Sequence, residues 1–261
     1  MPEKADMTGA APALEARGLT LSWDGGESVV AREISLVADR GEVVCLVGRS
    51  GCGKTTVFHA LSGLLRPLEG RVLLDGDDLT GTTGRVSYML QKDLLLPNLT
   101  VLDNACLPLV LGGMARDAAR EKALPLVERF GLAGSEGMWP AELSGGMRQR
   151  AAFLRTYLMG NGVVLLDEPF SALDAITRTE MRSWYCDMAR ELGLASVVIT
   201  HDVDEAALMA DRVYVLTGAP RSGVPSTVSA VVEPDRSRCD GDFSLCPEFL
   251  DAKRAILSAL T

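Results

Sequence analysis

One short run, EVVCLVGRSGCGKTTVFHAL at residues 42–61, restricts the fold and chemistry of this chain more than any other feature. Gly48, four further residues, Gly53, Lys54 and Thr55 match G-x-x-x-x-G-K-[ST] between a predicted strand and a predicted helix. Glycines let successive backbone N–H groups curve around phosphate oxygens, and the following helix adds its positive dipole end. A chance glycine-rich turn is the alternative, and the flanking strand and helix disfavour it. The run predicts a nucleotide phosphate site.

The residues of this loop have distinct predicted tasks. Lys54 reaches the outer phosphates of ATP, and Thr55 is a predicted ligand of Mg²⁺. Cys52 is best explained as a small residue that fills the turn; the alternative is a thiol acidified by Lys54 and the helix start, which bound ATP would shield from alkylation. The predicted ATP contacts of the loop are Gly48, Arg49, Ser50, Gly51, Cys52, Gly53, Lys54, Thr55 and Thr56.

Two adjacent acids follow a second apolar run, NGVVLLDEPFSALD at residues 161–174. Asp167 at the end of the predicted strand places a hard oxygen ligand where a Mg²⁺–nucleotide complex would bind. Glu168 is predicted to orient and polarise the attacking water, because phosphoryl transfer depends mainly on positioning and on charge neutralisation. An acidic cap between strand and loop is the alternative, which the phosphate loop makes less favourable.

Apolar runs and amphipathic segments alternate along much of the chain. Buried strands are predicted at residues 42–47, 71–74, 163–166, 196–200 and 212–216, and the clearest helix at residues 55–65. This alternation predicts an α/β core with a mainly parallel sheet. Residues 92–160 change to a Leu, Ala, Arg and Glu texture, which indicates a helical insertion in which Pro125 should end or kink a helix.

We therefore predict one domain over residues 1–261 with an inserted unit. Residues 12–91 and 161–230 form the α/β nucleotide-binding core, 92–160 the helical subdomain, and 231–261 a C-terminal extension that ends in a helix at 247–260.

Composition excludes several classes of protein. A formal net charge of −9 disfavours nucleic-acid binding, which requires an excess of Lys and Arg. No apolar stretch reaches the roughly 20 residues that cross a bilayer, and residues 1–16 lack an apolar signal core, so an intracellular location is expected. The six cysteines are scattered without metal-ligand spacing. Reduced thiols are expected, with Cys239 and Cys246 loose in a mobile tail.

The run LSGGMRQR at residues 143–150 resembles the signature of ABC transporter ATPases. Gln91, the SALD run at residues 171–174 and THD around His201 follow the order of that family, so the resemblance covers nearly the whole chain. It implies a phosphate-loop NTPase (RecA-like) core with an antiparallel β portion near the N-terminus. It also implies ATP and Mg²⁺ as ligands, and a head-to-tail homodimer that closes on ATP and reopens after hydrolysis.

The resemblance assigns part of each ATP pocket to the second subunit. Ser144, Gly145 and Gly146 offer a hydroxyl and backbone N–H groups at a predicted helix start, an anion site without a phosphate loop of its own. Asp174 is similar to the family's cross-dimer contact. A simple turn and a helix cap are the respective alternatives.

Three further roles are implied by the same resemblance. His201 is similar to the γ-phosphate contact that links the nucleotide to Glu168, and Gln91 to the residue that reaches Mg²⁺ and water. Trp23 is similar to the aromatic residue that stacks on adenine. The alternatives are a structural or exposed histidine, a solvated strand end and a core tryptophan.

Within the family, the runs QKDLLLPNLTVLDN, WPAELSGGMRQR, DEPFSALD and THDVDEAALMADRV resemble importer subunits of the nitrate, sulfonate, taurine and thiamine-precursor branch. This implies a permease and a solute-binding protein as partners, and a place on the cytoplasmic face of the membrane. Leu94, Leu95, Leu96 and Leu99 are predicted to form an apolar surface for the permease, or else to be core.

Two other functions remain open. A soluble ABC protein of repair, translation or cluster assembly usually has tandem ATPase units, a long coiled coil or a basic surface, which this chain lacks. A regulatory module that binds ATP without hydrolysis would be expected to lose at least one of Lys54, Asp167, Glu168 and His201.

Overall fold

A twisted sheet with helices on both faces dominates the computed structural model, which describes residues 11–239 and 241–261. Its strands are β1 (Leu14–Ser22), β2 (Val29–Ala38), β3 (Val43–Gly48), β4 (Glu69–Leu74), β5 (Asp77–Asp78), β6 (Ser87–Met89), β7 (Val163–Asp167), β8 (Ala195–Thr200), β9 (Arg212–Ala219) and β10 (Val224–Val232). Its helices are α1 (Lys54–Leu61), α2 (Val101–Leu111), α3 (Arg116–Arg129), α4 (Gly145–Tyr157), α5 (Ala175–Glu191), α6 (Val203–Met209) and α7 (Pro247–Ala259).

The strand order is β5-β4-β1-β2-β10-β9-β3-β8-β7-β6. The run from β9 to β6 is parallel throughout, whereas β1, β2, β4 and β5 pair antiparallel at the N-terminal end of the sheet. The predicted α/β class, with a mainly parallel core and an antiparallel N-terminal portion, is confirmed. All five predicted strands are present.

The parallel register brings the ends of three strands together. Val47 pairs with Thr200, and Asp167 pairs with Ile199, so β3, β8 and β7 end at one edge of the sheet. The short strand β6 joins them through the pair of Met89 and Leu166. Loops that follow these strands therefore start within a few ångströms of one another.

Both faces of the parallel sheet are covered, which explains why its strands are continuous apolar runs. Val44 and Leu46 of β3 point toward α1 and the antiparallel strands, while Cys45 and Val47 point toward the cluster that includes the helices between β6 and β7. The described chain between β6 and β7 contains α2, α3, a 3₁₀ turn (Pro140–Glu142) and α4 without a strand. The domain boundaries proposed from the sequence stay predictions.

Two helix predictions need correction. Helix α1 ends at Leu61, not at residue 65, because Gly63 turns into the left-handed region (φ 77°) and Leu64 is exposed. Helix α3 continues through Pro125 to Arg129, so the proline does not end it. The buried stripe of α3 (Ala119, Ala123 and Val127) holds the helix in place on both sides of the proline. Pro125 itself is exposed, so the backbone groups it leaves unpaired can be solvated.

The C-terminal segment contradicts the expectation of loose, reduced cysteines. Cys239 and Cys246 form a disulfide with their Cα atoms 6.0 Å apart, a separation typical of such bonds. The other four cysteines are free and buried. The two cysteines are seven residues apart, with the 3₁₀ turn Phe243–Leu245 between them, and this spacing alone did not predict the bond.

Arg236 attaches this segment to the end of α6. Its guanidinium donates hydrogen bonds to the carbonyl oxygens of Ala207, Leu208 and Ala210 at 2.8–3.2 Å and lies over the ring of Phe243. The last carbonyls of a helix lack intrahelical partners and carry partial negative charge, so a cation there satisfies both needs. The C-terminal segment thus acts as a cap for α6.

Residues 1–10 lie outside the described part of the chain. They make up most of the segment 1–16, for which the sequence predicted no signal-peptide core. Within the described residues, no helix combines the length and apolarity that crossing a membrane requires.

The α6 cap generates the first prediction. We expect Arg236→Met to lower the free energy of unfolding by about 2 kcal/mol, because charge-assisted hydrogen bonds are lost while apolar volume is kept. Urea denaturation followed by circular dichroism measures the change. Arg238→Met is the matched control, since Arg238 is exposed and its ion pair with Asp235 is at the surface, so its effect should stay within about 0.5 kcal/mol. Equal effects of the two substitutions would contradict the cap.

Candidate active site

A cleft of about 770 Å³ opens at the sheet edge where β3, β7 and β8 end. Its walls come from the loop after β3, the start of α1, the ends of β7 and β8, and the turn after β9. It is lined by Trp23, Val30, Ser50, Gly51, Gly53, Lys54, Thr55, Thr56, Asp167, Glu168, Ile199, His201, Pro220 and Arg221. The cleft therefore collects most of the residues predicted to bind nucleotide in the same subunit.

Two glycines of the phosphate loop occupy positions that a side chain could not share. A Cβ on Gly48 would lie 2.6 Å from both the Sγ of Cys52 and the carbonyl oxygen of Leu216. Gly53 caps α1 in the left-handed region, with φ 95°. The side chain of Lys54 is buried, and its Nζ donates to the carbonyl oxygens of Gly48 and Arg49 at 2.7 and 3.1 Å. The ammonium is thereby fixed against the loop that it serves.

Cys52 does not have the environment that the alternative hypothesis required. Its side chain is 1% exposed and packs beneath the loop, outside the cleft lining. Burial raises the pKa of the Cys52 thiol by more than the nearby Lys54 lowers it. The alternative of an acidified thiol is therefore wrong, and the buried sulfur agrees with the favoured interpretation of a small residue that fills the turn. Gly48 and Arg49 also lie outside the cleft lining.

Asp167 and Glu168 occupy the junction between β7 and the loop that follows. Burial, followed by the adjacent Glu168 charge, raises the pKa of Asp167. Glu168 has a left-handed backbone with φ 45°, which costs roughly 1–3 kcal/mol for a residue with a side chain. Its N–H donates to the carbonyl of Ile199 at 2.9 Å, and its own carbonyl accepts from the Ser171 hydroxyl at 3.0 Å. Both bonds hold this strained position.

The carboxylate of Glu168 is held from two sides. Gln91 Nε2 donates to Oε2 at 3.1 Å, and His201 Nδ1 lies 3.1 Å from Oε1. His201 is 63% exposed and follows the last residue of β8, while Gln91 follows β6 by two residues. Gln91 and His201, which are far apart in sequence, thus meet at the carboxylate of Glu168, in the cleft of the phosphate loop.

Trp23 lies at the surface of the cleft and is not a core residue. Its side chain is 58% exposed, its Nε1 donates to the hydroxyl of Thr56 at 3.3 Å, and its ring meets His59 edge-on. The indole is thereby fixed beside the start of α1 with much of its ring uncovered. Such a ring offers a stacking surface for a planar base.

The residues assigned to the second subunit lie outside this cleft. Ser144 is exposed and caps α4, with its hydroxyl accepting from Met147 N–H at 3.3 Å. A Cβ on Gly145 or Gly146 would come within 3.2 Å of side chains from Leu173 and Thr177, respectively.

Asp174 caps α5 by accepting from the N–H groups of Ile176 and Thr177 at 3.2 and 3.0 Å, and these bonds lower its pKa. The helix-cap alternative is therefore present in the structure. The Asp174 side chain is nevertheless exposed, so the cap leaves it accessible.

A family model described as "ABC transporter" matches residues 31–171, which include the phosphate loop, the Gln91 loop, α4 and the acids after β7. The chain belongs to the ABC transporter family.

Similar proteins agree with this membership over most of the chain. The formylaminopyrimidine import ATP-binding protein ThiZ of Halalkalibacterium halodurans is 39% identical over 81% of each chain. The aliphatic sulfonates import ATP-binding protein SsuB 2 of Burkholderia cenocepacia is 41% identical over 82% of this chain and 78% of that protein. The solved dimer of the ATP-binding cassette MJ0796 with ADP and Pi is 28% identical, with a TM-score of 0.65, and covers 77% of this chain and 93% of its own.

This ABC ATPase is thus of the importer type, and it binds and hydrolyses ATP. Its cleft also contains residues that the sequence did not single out, notably Val30 of β2 and Arg221 of the 3₁₀ turn Pro220–Ser222. Arg221 is in an ordinary APRSG turn, and only the return of β9 along β3 brings that turn to the cleft. No local sequence signal marks it.

The position of Trp23 generates a prediction about nucleotide binding. We expect MgATP to change the tryptophan fluorescence of the ABC ATPase and Trp23→Phe to remove most of that change, because Trp23 alone among the three tryptophans lines the cleft. Trp23→Ala should weaken ATP binding about tenfold through lost stacking. Trp139→Phe, which alters another exposed indole, is the control. A MgATP-induced fluorescence change that persists in Trp23→Phe and disappears in Trp139→Phe would contradict the position of Trp23 at the nucleotide.

Proposed function

We propose that this ABC ATPase drives an importer as a head-to-tail homodimer, in which the phosphate loop of one subunit and the α4 start of the other enclose each ATP. The observation that carries the proposal is the Glu168 carboxylate, held between Gln91 and His201 in the cleft of the phosphate loop. Such a carboxylate can orient a water molecule toward the terminal phosphate.

The hydrolytic step follows from the positions of the side chains. Trp23 stacks on the adenine, and loop N–H groups together with Lys54 hold the phosphates. Glu168 accepts a hydrogen bond from the attacking water, whose oxygen bonds to the γ-phosphorus as the bond to the β–γ bridging oxygen breaks. His201 contacts the γ-phosphate and holds Glu168, so the water and phosphate share one positioning network.

The donor set of the cleft fits Mg²⁺. Thr55 supplies a hydroxyl and Asp167 a carboxylate on facing walls, and Gln91 reaches the same region through its bond to Glu168. Oxygen donors of this kind are those that Mg²⁺ prefers. We propose Thr55, Asp167 and Gln91 as its protein ligands; when bound, the ion neutralises charge on the phosphate oxygens.

The second subunit is required because Ser144, Gly145 and Gly146 lie outside their own cleft. The first turn of α4 presents N–H groups without an intrahelical partner, an arrangement suited to phosphate. Asp174 lies close by, because Leu173 and Thr177 contact the two glycines. The dimeric state of the similar cassette MJ0796 supports this assignment.

A groove of about 320 Å³ between β6, α2 and α4 is proposed to receive a helix of the permease. Leu90, Leu94, Leu111 and Met159 line it and are exposed, with Leu111 79% exposed. Apolar side chains in such a groove are suited to a partner helix. Leu95 is a correction to the expected surface, because it is 8% exposed and packs in the core.

The groove is connected to both halves of the proposed ATP pocket. Arg155 of α4 lines it and donates to the carbonyl oxygens of Leu94 and Asp93, in the loop that follows Gln91. Buried Asn104 of α2 fixes the same loop with bonds to Leu96, Leu99 and Thr100. Movement of a permease helix would therefore reach Gln91 on one side and the α4 start on the other.

We propose that this ATPase lies at the cytoplasmic face of the membrane, bound to a membrane-embedded permease, and that the permease and a solute-binding protein select the cargo. We propose an organic anion of the nitrate, sulfonate or taurine kind, consistent with the similarity to an aliphatic sulfonate importer. The second candidate is a thiamine-precursor pyrimidine, favoured by the similarity to the formylaminopyrimidine importer.

The dimer is tested with Glu168→Gln. We expect the ATP hydrolysis rate to fall about 100-fold or more, because the neutral amide lacks the charge and basicity with which the carboxylate activates the water. The variant should then elute as an ATP-loaded dimer in size-exclusion chromatography with light scattering. Glu180→Gln, an exposed position on α5, should hydrolyse ATP like the wild type. A monomeric Glu168→Gln variant at saturating ATP would refute the closed dimer.

The groove is tested with Leu94→Asp combined with Leu111→Asp. Uptake of taurine and of a formylaminopyrimidine is measured in cells that carry the variant as their sole copy. We expect loss of uptake with basal ATPase activity of the purified subunit within about twofold, because the substitutions are outside the cleft. In a strain from which the gene for this ATPase is deleted, the compound whose uptake disappears identifies the class of cargo. Leu124→Asp, at an exposed position of α3, is the control. An equal loss of uptake in this control would remove the groove from the proposal.

A further inference from the structure

A buried carboxyl group lies close to the active site without lining the nucleotide cleft. Glu205, in the first turn of α6, is 4% exposed. It borders a separate cavity of about 40 Å³ together with Glu168, Ser171, Arg178, Thr200, His201 and Asp202. That volume accommodates about one water molecule among several polar groups. A buried carboxyl group needs such partners, because its transfer from water is costly.

Glu205 is connected to the turn that presents His201. The hydroxyl of Thr200 accepts a hydrogen bond from the N–H of Asp202 at 3.1 Å, so its own proton is free to go to another acceptor. The Glu205 carboxyl group borders the same cavity as Thr200 and is an acceptor suited to that proton. The N–H of Glu205 in turn donates to Oδ1 of Asp202 at 3.0 Å. Thr200 and Asp202 are the two neighbours of His201, so this chain of bonds fixes the backbone on both sides of the histidine.

The same cavity connects to the loop of Asp174. Arg178 of α5 donates to the carbonyl of Leu173 at 2.9 Å, and its Nη1 lies 3.9 Å from Asp202 Oδ2. The Nε of Arg178 is buried and has no hydrogen-bond partner among residues 11–239 and 241–261, although it belongs to a cavity-lining side chain. An unsatisfied buried donor beside a carboxyl-lined cavity is explained if the cavity completes its hydrogen bonding.

We propose that Glu205 is a positioning residue for ATP hydrolysis, which holds the His201 turn through Thr200 and couples it through the cavity to Arg178 and the Asp174 loop. The proposal rests on the function proposed above for His201 and Asp174. Asp174, the proposed cross-dimer contact, is then connected to His201, the proposed γ-phosphate contact. The connection runs through the Glu205 cavity and not through the nucleotide cleft.

Charged and titratable groups face Glu205 and its cavity from several elements. They are Asp202 at the cap of its own helix, Arg178 and Arg182 on α5, His201 after β8, Glu168 after β7, and the Cys45 thiol on β3. Asp204, in the same turn, pairs with Lys253 of α7 at 2.6 Å instead. Burial is the main cause that raises the pKa of Glu205 to about 7, while the Thr200 bond favours the ionised form. Both protonation states are therefore populated near neutral pH.

The activity test compares Glu205→Ala and Glu205→Gln with the wild type. We expect Glu205→Ala to lower kcat about tenfold with KM for ATP within about twofold, since the turn is misplaced while nucleotide contacts remain. Glu205→Gln keeps a hydrogen-bond acceptor without the charge, so at every pH it should show about the kcat that the wild type has below pH 7, above that of Glu205→Ala. The wild-type kcat should rise with pH through about 7, and Glu205→Gln should lack that rise.

Asp204→Asn is the matched control, because it neutralises an acid in the same turn that faces Lys253 and not the cavity. It should leave kcat and its pH profile unchanged. Wild-type kcat in Glu205→Ala, or the same pH midpoint in Glu205→Gln and the wild type, would overturn the positioning role. Absence of ATPase activity in the wild type would instead overturn the proposed function on which it rests.

A stability measurement keeps the proposal testable if Glu205→Ala fails to fold. Between the ordinary pKa of 4.5 and about 7, folded protein keeps a proton on Glu205 that the unfolded chain has released. Stability contributed by this group therefore falls as pH rises through that window. We expect Glu205→Gln to have a higher Tm than the wild type at pH 8 and an equal one at pH 4.5. A Tm difference independent of pH would show that Glu205 does not titrate in this cavity.

Discussion

The parallel pairing of β3, β8 and β7 is the constraint on which the active site depends. Its register fixes Val47 beside Thr200 and Ile199 beside Asp167, so the phosphate loop, His201 and Glu168 all begin at one edge of the sheet. Backbone hydrogen bonds of this kind are insensitive to surface sequence, and a core on both faces keeps them in place. The catalytic side chains need only short loops to meet.

Strain at Glu168 shows how that framework supports chemistry. A left-handed backbone at this residue is unfavourable by itself, yet bonds to Ile199 and Ser171 hold it, and Gln91 and His201 orient its carboxylate. These contacts come from β8 and its end, from the loop after β7 and from the loop after β6. The position of one carboxylate therefore reports on the arrangement of β6, β7 and β8 together, which is how closure of a dimer could control water attack.

Arginine side chains connect surface elements of the protein to the cleft. Arg155 joins α4 to the loop after Gln91, and Arg178 joins the Asp174 loop to the cap of α6, whose far end Arg236 satisfies. Arginine is suited to such junctions because its planar group donates several hydrogen bonds at once. The groove proposed for the permease, the proposed cross-dimer contact and the C-terminal segment each have a physical connection to a residue of the cleft.

The sequence by itself determined the α/β class, the strands and the motifs that gather in the cleft, because apolar periodicity and glycine patterns depend on neighbouring residues. Tertiary structure decided what depends on distant contacts: Leu95 is core while Leu94 is exposed, Cys52 is covered, and Glu205 is buried. It also decided that α3 continues past Pro125, since packing of its buried stripe outweighs a local penalty. Burial and pKa depend on what folds over a residue, and chain order does not specify that.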